Sequence, residues 1–191
     1  MKKIPTLFVR EFSNHKVVKA TEEVTPGMEW VLNGEGYATE KWDGSCCALL
    51  DGVFYKRYDA KHGKTPPENA IPCCEPDAIT GHWPHWVPVD VYEPADKWFV
   101  EAFINTHPTE DGSYEAVGPH FRVNAHNLKK DILIKHGLHI VDVPRTFLGI
   151  KEYLECHNIE GLVFYKDGIP MCKIKRSDFG FSWPVGRIDG L

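Results

Sequence analysis

Residues 161–176 read GLVFYKDGIPMCKIKR, and their layout decides what kind of sheet the chain can build. Two arms of strand-forming residues flank Asp167-Gly168, a dipeptide suited to a two-residue type I′ turn because both central positions need positive φ. The same device stands at residues 45–58, SCCALLDGVFYKRY, around Asp51-Gly52. Tight hairpins of this kind make antiparallel sheets, and with few helical stretches between them the expected class is α+β and not a doubly wound parallel sheet. In the second arm Lys173 and Lys175 fall on one face and Ile174 on the other. Two ammonium groups on one face repel each other. A plain edge strand uses lysines this way to resist sheet-to-sheet aggregation.

Working outward, WFVEAFI (98–104) and SYEAVG (113–118) read as a third strand pair joined through the THPTEDG turn. Residues from about Leu128 to His136, ending at Gly137, read as a short helix. Thr146 caps a second helix running to about His157, with Leu148, Tyr153 and Leu154 on its buried side. The stretch from about Lys61 to Pro94, rich in proline, histidine and tryptophan, reads as a long irregular loop or lid.

A chain of 191 residues, 42% hydrophobic with six tryptophans, buries one sizeable core, so residues 1–191 are expected to form one domain. The net charge of -5 argues against a protein that coats nucleic acid generally and leaves room for a local basic groove. The cysteines at 46–47 and 73–74 are adjacent pairs without the two-residue gap of a zinc knuckle, so small buried thiols are expected. Cys73, His82 and His85 could share a metal, although GHWPHW reads more as an aromatic-proline packing loop. MKKIPTLFVR is too short and interrupted for a signal peptide, and no segment approaches a membrane span, so a cytoplasmic protein is expected. Neither a P-loop nor a Rossmann fingerprint is present; NGEG at 33–36 satisfies neither pattern.

Lys41-Trp42-Asp43-Gly44, Glu160-Gly161-Leu162-Val163 and Lys173-Ile174-Lys175 follow one another in that order. Taken together they resemble the nucleophile, fourth and fifth motifs of the covalent nucleotidyltransferases: DNA ligases, RNA ligases and capping enzymes. Within that superfamily the chain is most similar to the compact ATP-dependent 5′–3′ RNA ligases, through TEKWDGSCC, RYDAK, HWPHWVPV, SYEAVGP with Asn124 and Asn127, and the late FSWP.

The resemblance implies a ligase-type adenylation domain of antiparallel sheets, with no appended oligonucleotide-binding domain. It implies ATP with Mg2+ or Mn2+, a lysyl-AMP intermediate, and RNA substrates with 5′-phosphate and 3′-hydroxyl ends. Lys41 would be the nucleophile, and Lys173 and Lys175 would contact the α-phosphate. Glu40 and Val163 would bind adenine, Arg57 ribose or phosphate, Glu115 ribose or a metal-bound water, and Glu160 the nucleotide's metal, with Glu101 a second metal candidate. An amine attacks phosphorus only after losing a proton, and a free lysine is neutral in roughly four molecules per ten thousand at pH 7. Neighbouring cations (Lys173, Lys175, Arg57 and the metal) are expected to favour the neutral amine.

One position departs from the pattern: Cys46 stands where many ligases carry arginine or asparagine, and a thiol cannot replace that contact. A minimal DNA ligase and a non-catalytic nucleic-acid end-binding module remain alternatives. Lys56, Lys61, Lys64, Lys129, Lys130 and Lys135 are candidates for a basic surface that holds RNA.

Overall fold

In a computed structural model, which describes residues 3–14, 16–60, 64–78 and 80–185 and all their side chains except those of 16 and 17, both Asp-Gly turns close hairpins. Ser45–Leu50 (β4) turns through Asp51 (φ 49) and Gly52 (φ 75) into Val53–Ala60 (β5). Gly161–Lys166 (β11) turns through Asp167 (φ 52) and Gly168 (φ 74) into Ile169–Lys175 (β12). The other strands are Phe8–Ser13 (β1), Lys16–Val24 (β2), Tyr37–Lys41 (β3), Ile71–Pro72 (β6), Trp83–Pro88 (β7), Gly112–Val117 (β8), Ile132–Lys135 (β9) and Ile140–Val141 (β10). The helices are Glu29–Leu32 (α1), Lys97–Thr106 (α2) and Phe147–Cys156 (α3). Among the described residues every pairing between these named strands is antiparallel, in line with the α+β class. Among the described residues no helix is long and apolar enough to cross a membrane.

The chain divides into two compact units, one of Asp43–His136 and the other of Ile4–Trp42 with the segment from Gly137 onward. In the second unit, strands order as β10-β3-β11-β12. One face of this sheet carries Ala38, Leu162, Phe164, Cys172 and Ile174, all fully buried, in one core with Ile150 and Leu154 of α3 and with Leu7, Phe8 and Val31. That apolar face fixes the register, because a slip of one residue would turn its side chains outward. α3 begins as expected, with Thr146 Oγ1 accepting the Gly149 N–H at 3.0 Å. Its buried side differs from expectation: Leu148 is 60% exposed and Ile150 takes its place, since the i, i+4 pair Ile150–Leu154 is the stripe that meets the sheet.

The first unit is a six-stranded sheet ordered β6-β7-β5-β4-β8-β9, and three expectations are corrected in it. WFVEAFI is helical and lies within α2; it does not pair with SYEAVG, whose strand β8 runs between β4 and β9. Trp98, Phe99, Ala102 and Phe103 recur at helical spacing and pack on Cys47, Leu49 and Tyr114. An almost continuous apolar run had hidden that period. Residues 132–135 form a strand and not a helix: Ile132 and Ile134 are β-branched and pair with β8, and Gly137 (φ 85) closes a turn. The 61–94 stretch is not wholly irregular, because Trp83–Pro88 pairs with β5 along its length. Its prolines are tolerated because only the two-residue β6 lies on its outer side.

Candidate functional site

In the second unit, strand pairing sets Gly161 opposite Lys41 on one side and opposite Lys175 on the other. The next row on the same face is Thr39, Val163 and Lys173. Residues more than a hundred positions apart thus occupy two neighbouring rows of one sheet face, which is the face away from the apolar core. Gly161 is what lets β12 come this close. A Cβ there would fall 2.2 Å from the Ile174 carbonyl oxygen and 2.9 Å from the Lys175 Cα, so any other residue pushes the lysine strand away.

Glu160, next to Gly161 and only 9% exposed, forms an ion pair with the Lys41 ammonium. The charged partner that holds the expected nucleophile is therefore a carboxylate and not a cation. Lys173 registers the cationic crowding: burial, then Lys41, Lys175 and Arg10, bring its pKa down from 10.5 to about 8 against the opposing pull of Glu160. Two further groups frame this face, and neither was singled out from sequence. Asp178 accepts the Lys175 backbone N–H at 2.8 Å and pairs with Arg10 Nη2 at 2.7 Å. The only local signal for Arg10 was a charge inside the strand-like FVREF run.

Glu40 belongs to the other side of the sheet. It alternates with Lys41, pairs in register with Leu162, and donates its backbone N–H to the His139 carbonyl at 2.9 Å. Burial raises its carboxyl pKa, and its charge is felt by Tyr153 of α3. Val163 lies on the lysine face beside Lys173.

Arg57, Glu115 and Glu101 belong to the first unit. Glu115 sits opposite Cys46 on β4, and Arg57 opposite Trp86 on β7. Both Glu115 oxygens have partners: Oε1 accepts the Gly44 N–H and Oε2 meets His136 Nε2, each at 3.0 Å. His136 Nδ1 in turn meets Ser113 Oγ at 2.9 Å. Glu115 therefore braces the turn after the expected nucleophile. Asp43 N–H to His126 Nε2 (3.0 Å) and Arg122 Nε to the Gly44 carbonyl (3.0 Å) complete that brace. Gly44 itself has no room for a Cβ, which would lie 2.1 Å from the Ala116 carbonyl oxygen. Arg57 is held by Asp59, Nε to Oδ1 at 2.7 Å. The Cys46 thiol beside it stays protonated, its pKa pushed up to about 12 by burial and by Glu115.

Glu101 lies on α2, in the other unit from Glu160. Among the described residues no group of three or more His, Cys, Asp or Glu side chains could hold a metal ion, Cys73, His82 and His85 included. Of the lysines considered for a basic surface, Lys56 is a correction: it ion-pairs with Asp96, itself 1% exposed, because its alternation with Arg57 turns it to the α2 side of the sheet. Lys135 pairs with Glu110, Lys64, Lys129 and Lys130 are exposed, and Lys61 lies outside the described residues. No family model matches this chain, and no curated protein matches it.

Proposed function

We propose that this chain is an ATP-dependent RNA ligase that joins 5′-phosphate and 3′-hydroxyl RNA ends through a lysyl-AMP intermediate. The observation that carries the reading is the convergence of Lys41, Glu160, Lys173 and Lys175, from three separated motifs, on one face of a single sheet. A plain edge strand needs lysines facing water. It does not need one of them buried enough to lose much of its proton affinity, or a glutamate sealed against another. Such a face, cationic and partly dry, suits an anion on which negative charge builds during reaction.

In the first step the neutral Lys41 nitrogen donates its lone pair to the α-phosphorus of ATP. The N–P bond forms as the bond from that phosphorus to the bridging oxygen breaks, and the electron pair leaves with pyrophosphate. The nitrogen gives up one proton before attack and one after it. Glu160 holds the resting ammonium, so attack requires that ion pair to part. Lys173 and Lys175 offset the charge on the α-phosphate and on the departing pyrophosphate. A 5′-phosphate oxygen of RNA then displaces Lys41 from phosphorus, and the 3′-hydroxyl finally displaces AMP from the activated end.

One carboxylate among ammonium groups is a poor cage for a free divalent cation but would suit Mg2+ or Mn2+ that arrives with the triphosphate and supplies charge neutralisation there. Such an ion would take Glu160 as its protein ligand and would draw the carboxylate's charge away from Lys41. Arg57 and Glu115, in the other unit, enter the nucleotide site only through the resemblance, as does the preference for RNA over DNA.

The test is incubation with α-labelled ATP and Mg2+ followed by denaturing electrophoresis, and then sealing of matched RNA and DNA nicks. Label retained by the wild type and lost in Lys41→Ala is expected, in an acid-labile, base-stable phosphoramidate. A Lys41→Ala adduct of normal yield refutes the assignment. An adduct with faster sealing of all-DNA nicks identifies a minimal DNA ligase, and nucleic-acid end binding without any adduct a non-catalytic module.

A further inference from the structure

Resting on that reading, we infer that Arg10 grips the β- and γ-phosphates of the nucleoside triphosphate at the outer end of the lysine face. The segment before β1 runs parallel to the free edge of β12. Lys173 donates its N–H to the Pro5 carbonyl at 3.0 Å, the Leu7 N–H returns to the Lys173 carbonyl at 2.8 Å, and Thr6 lies beside Lys173. Four residues on, Arg10 arrives where β12 ends, and its pairing with Asp178 ties it to the turn that Asp178 closes on the Lys175 N–H.

Three observations converge on an anion there. Arg10 Nε is buried and, among the described residues, has no hydrogen-bond partner, a cost that an oxyanion removes. Arg10, Lys41, Lys173 and Lys175 are four cations set against two carboxylates, Glu160 and Asp178, so the face balances only when it holds a group of about two negative charges. The lowered affinity of Lys173 for its proton, to which Arg10 contributes, is the mark of that imbalance.

The order of the elements says which phosphates lie there. Across the sheet Lys41 comes first, on β3, then β11, then Lys175 on β12, and last the N-terminal segment. In-line displacement puts the leaving group on the side of the α-phosphorus away from the amine. The β- and γ-phosphates therefore extend from Lys41 toward β12, and Arg10 stands at the far end of that line.

The experiment is calorimetric titration of the full chain with inorganic tripolyphosphate and, separately, with a 5′-phosphorylated oligoribonucleotide, for wild type, Arg10→Gln and Arg10→Lys. Arg10→Gln is expected to bind tripolyphosphate about tenfold more weakly, and Arg10→Lys, which keeps the charge but lacks Nε, to fall between it and wild type. Undiminished tripolyphosphate binding in Arg10→Gln overturns the inference, as does a loss confined to the oligoribonucleotide. If Arg10→Gln melts early for want of a partner for Asp178, Arg10→Lys decides by the same criterion. Because inorganic tripolyphosphate needs no catalysis, the two readings fail separately. A wild type that binds it through Arg10 yet forms no adduct sinks the ligase and leaves the anion contact standing. An adduct together with tripolyphosphate binding that does not depend on Arg10 does the reverse.

Discussion

A lysine whose proton is held weakly in the folded protein is a stability cost, and Lys173→Met measures it. The folded pKa, about 8, lies below the ordinary 10.5, so between those values the unfolded chain binds a proton that the folded chain does not. Stability therefore rises as pH climbs from 8 to 10.5, and below pH 8 the cost of holding the ammonium on this face is present in full. Each pKa unit corresponds to about 1.4 kcal/mol, which makes that cost about 3 kcal/mol, an upper bound because solvent reaches the partly exposed nitrogen. Methionine matches the lysine stem in length and carries no charge. At pH 7 Lys173→Met is expected to exceed wild type in urea unfolding free energy by up to about 3 kcal/mol, and at pH 10 by less than about 1 kcal/mol. Titrating groups away from this face cancel in the difference between the two proteins. Saturating pyrophosphate should narrow the gap at pH 7, since it stabilises the folded wild type by mass action and binds the variant less. A variant no more stable than wild type at pH 7, or an advantage that does not change with pH, refutes the account of Lys173 as a strained anion-site cation.

Two further substitutions separate the site's scaffold from the rest of the fold. Gly161→Ala drives a methyl group into the Ile174 carbonyl; urea unfolding should show a loss of about 2–3 kcal/mol, and labelled ATP should leave little adduct because β12 and its lysines are displaced. Thr146→Ala removes the α3 cap and should cost about 1 kcal/mol in the same unfolding assay, with adduct yield per folded molecule unchanged.

What could be read from the sequence was whatever is decided within a few residues. Asp51-Gly52 and Asp167-Gly168 specify their turns locally because two adjacent positive φ values exclude most other residues, and the hairpins followed; the register that sets Val163 opposite Lys173 did not, because an irregularity between Phe164 and Tyr165 shifts the pairing by one residue. Thr146 was legible for the same reason. α2 and β9 were not, because WFVEAFI and DILIK satisfy more than one period and only the sheet they meet selects between them. The site divides along the same line. Alternation alone placed Lys173 and Lys175 together and Ile174 opposite. It could not say that β3 and β12 flank the same β11, which is what joins Lys41 to the two lysines through Gly161. Arg10 and Asp178 were the least visible, since neither has meaning until the segment at residues 5–7 is laid along β12. That parallel pairing has no turn to announce it. Its consequence is that the strand edge which lysines would otherwise guard from aggregation is covered by the chain's own backbone at Lys173, so protection of an open edge cannot account for a charge at that position.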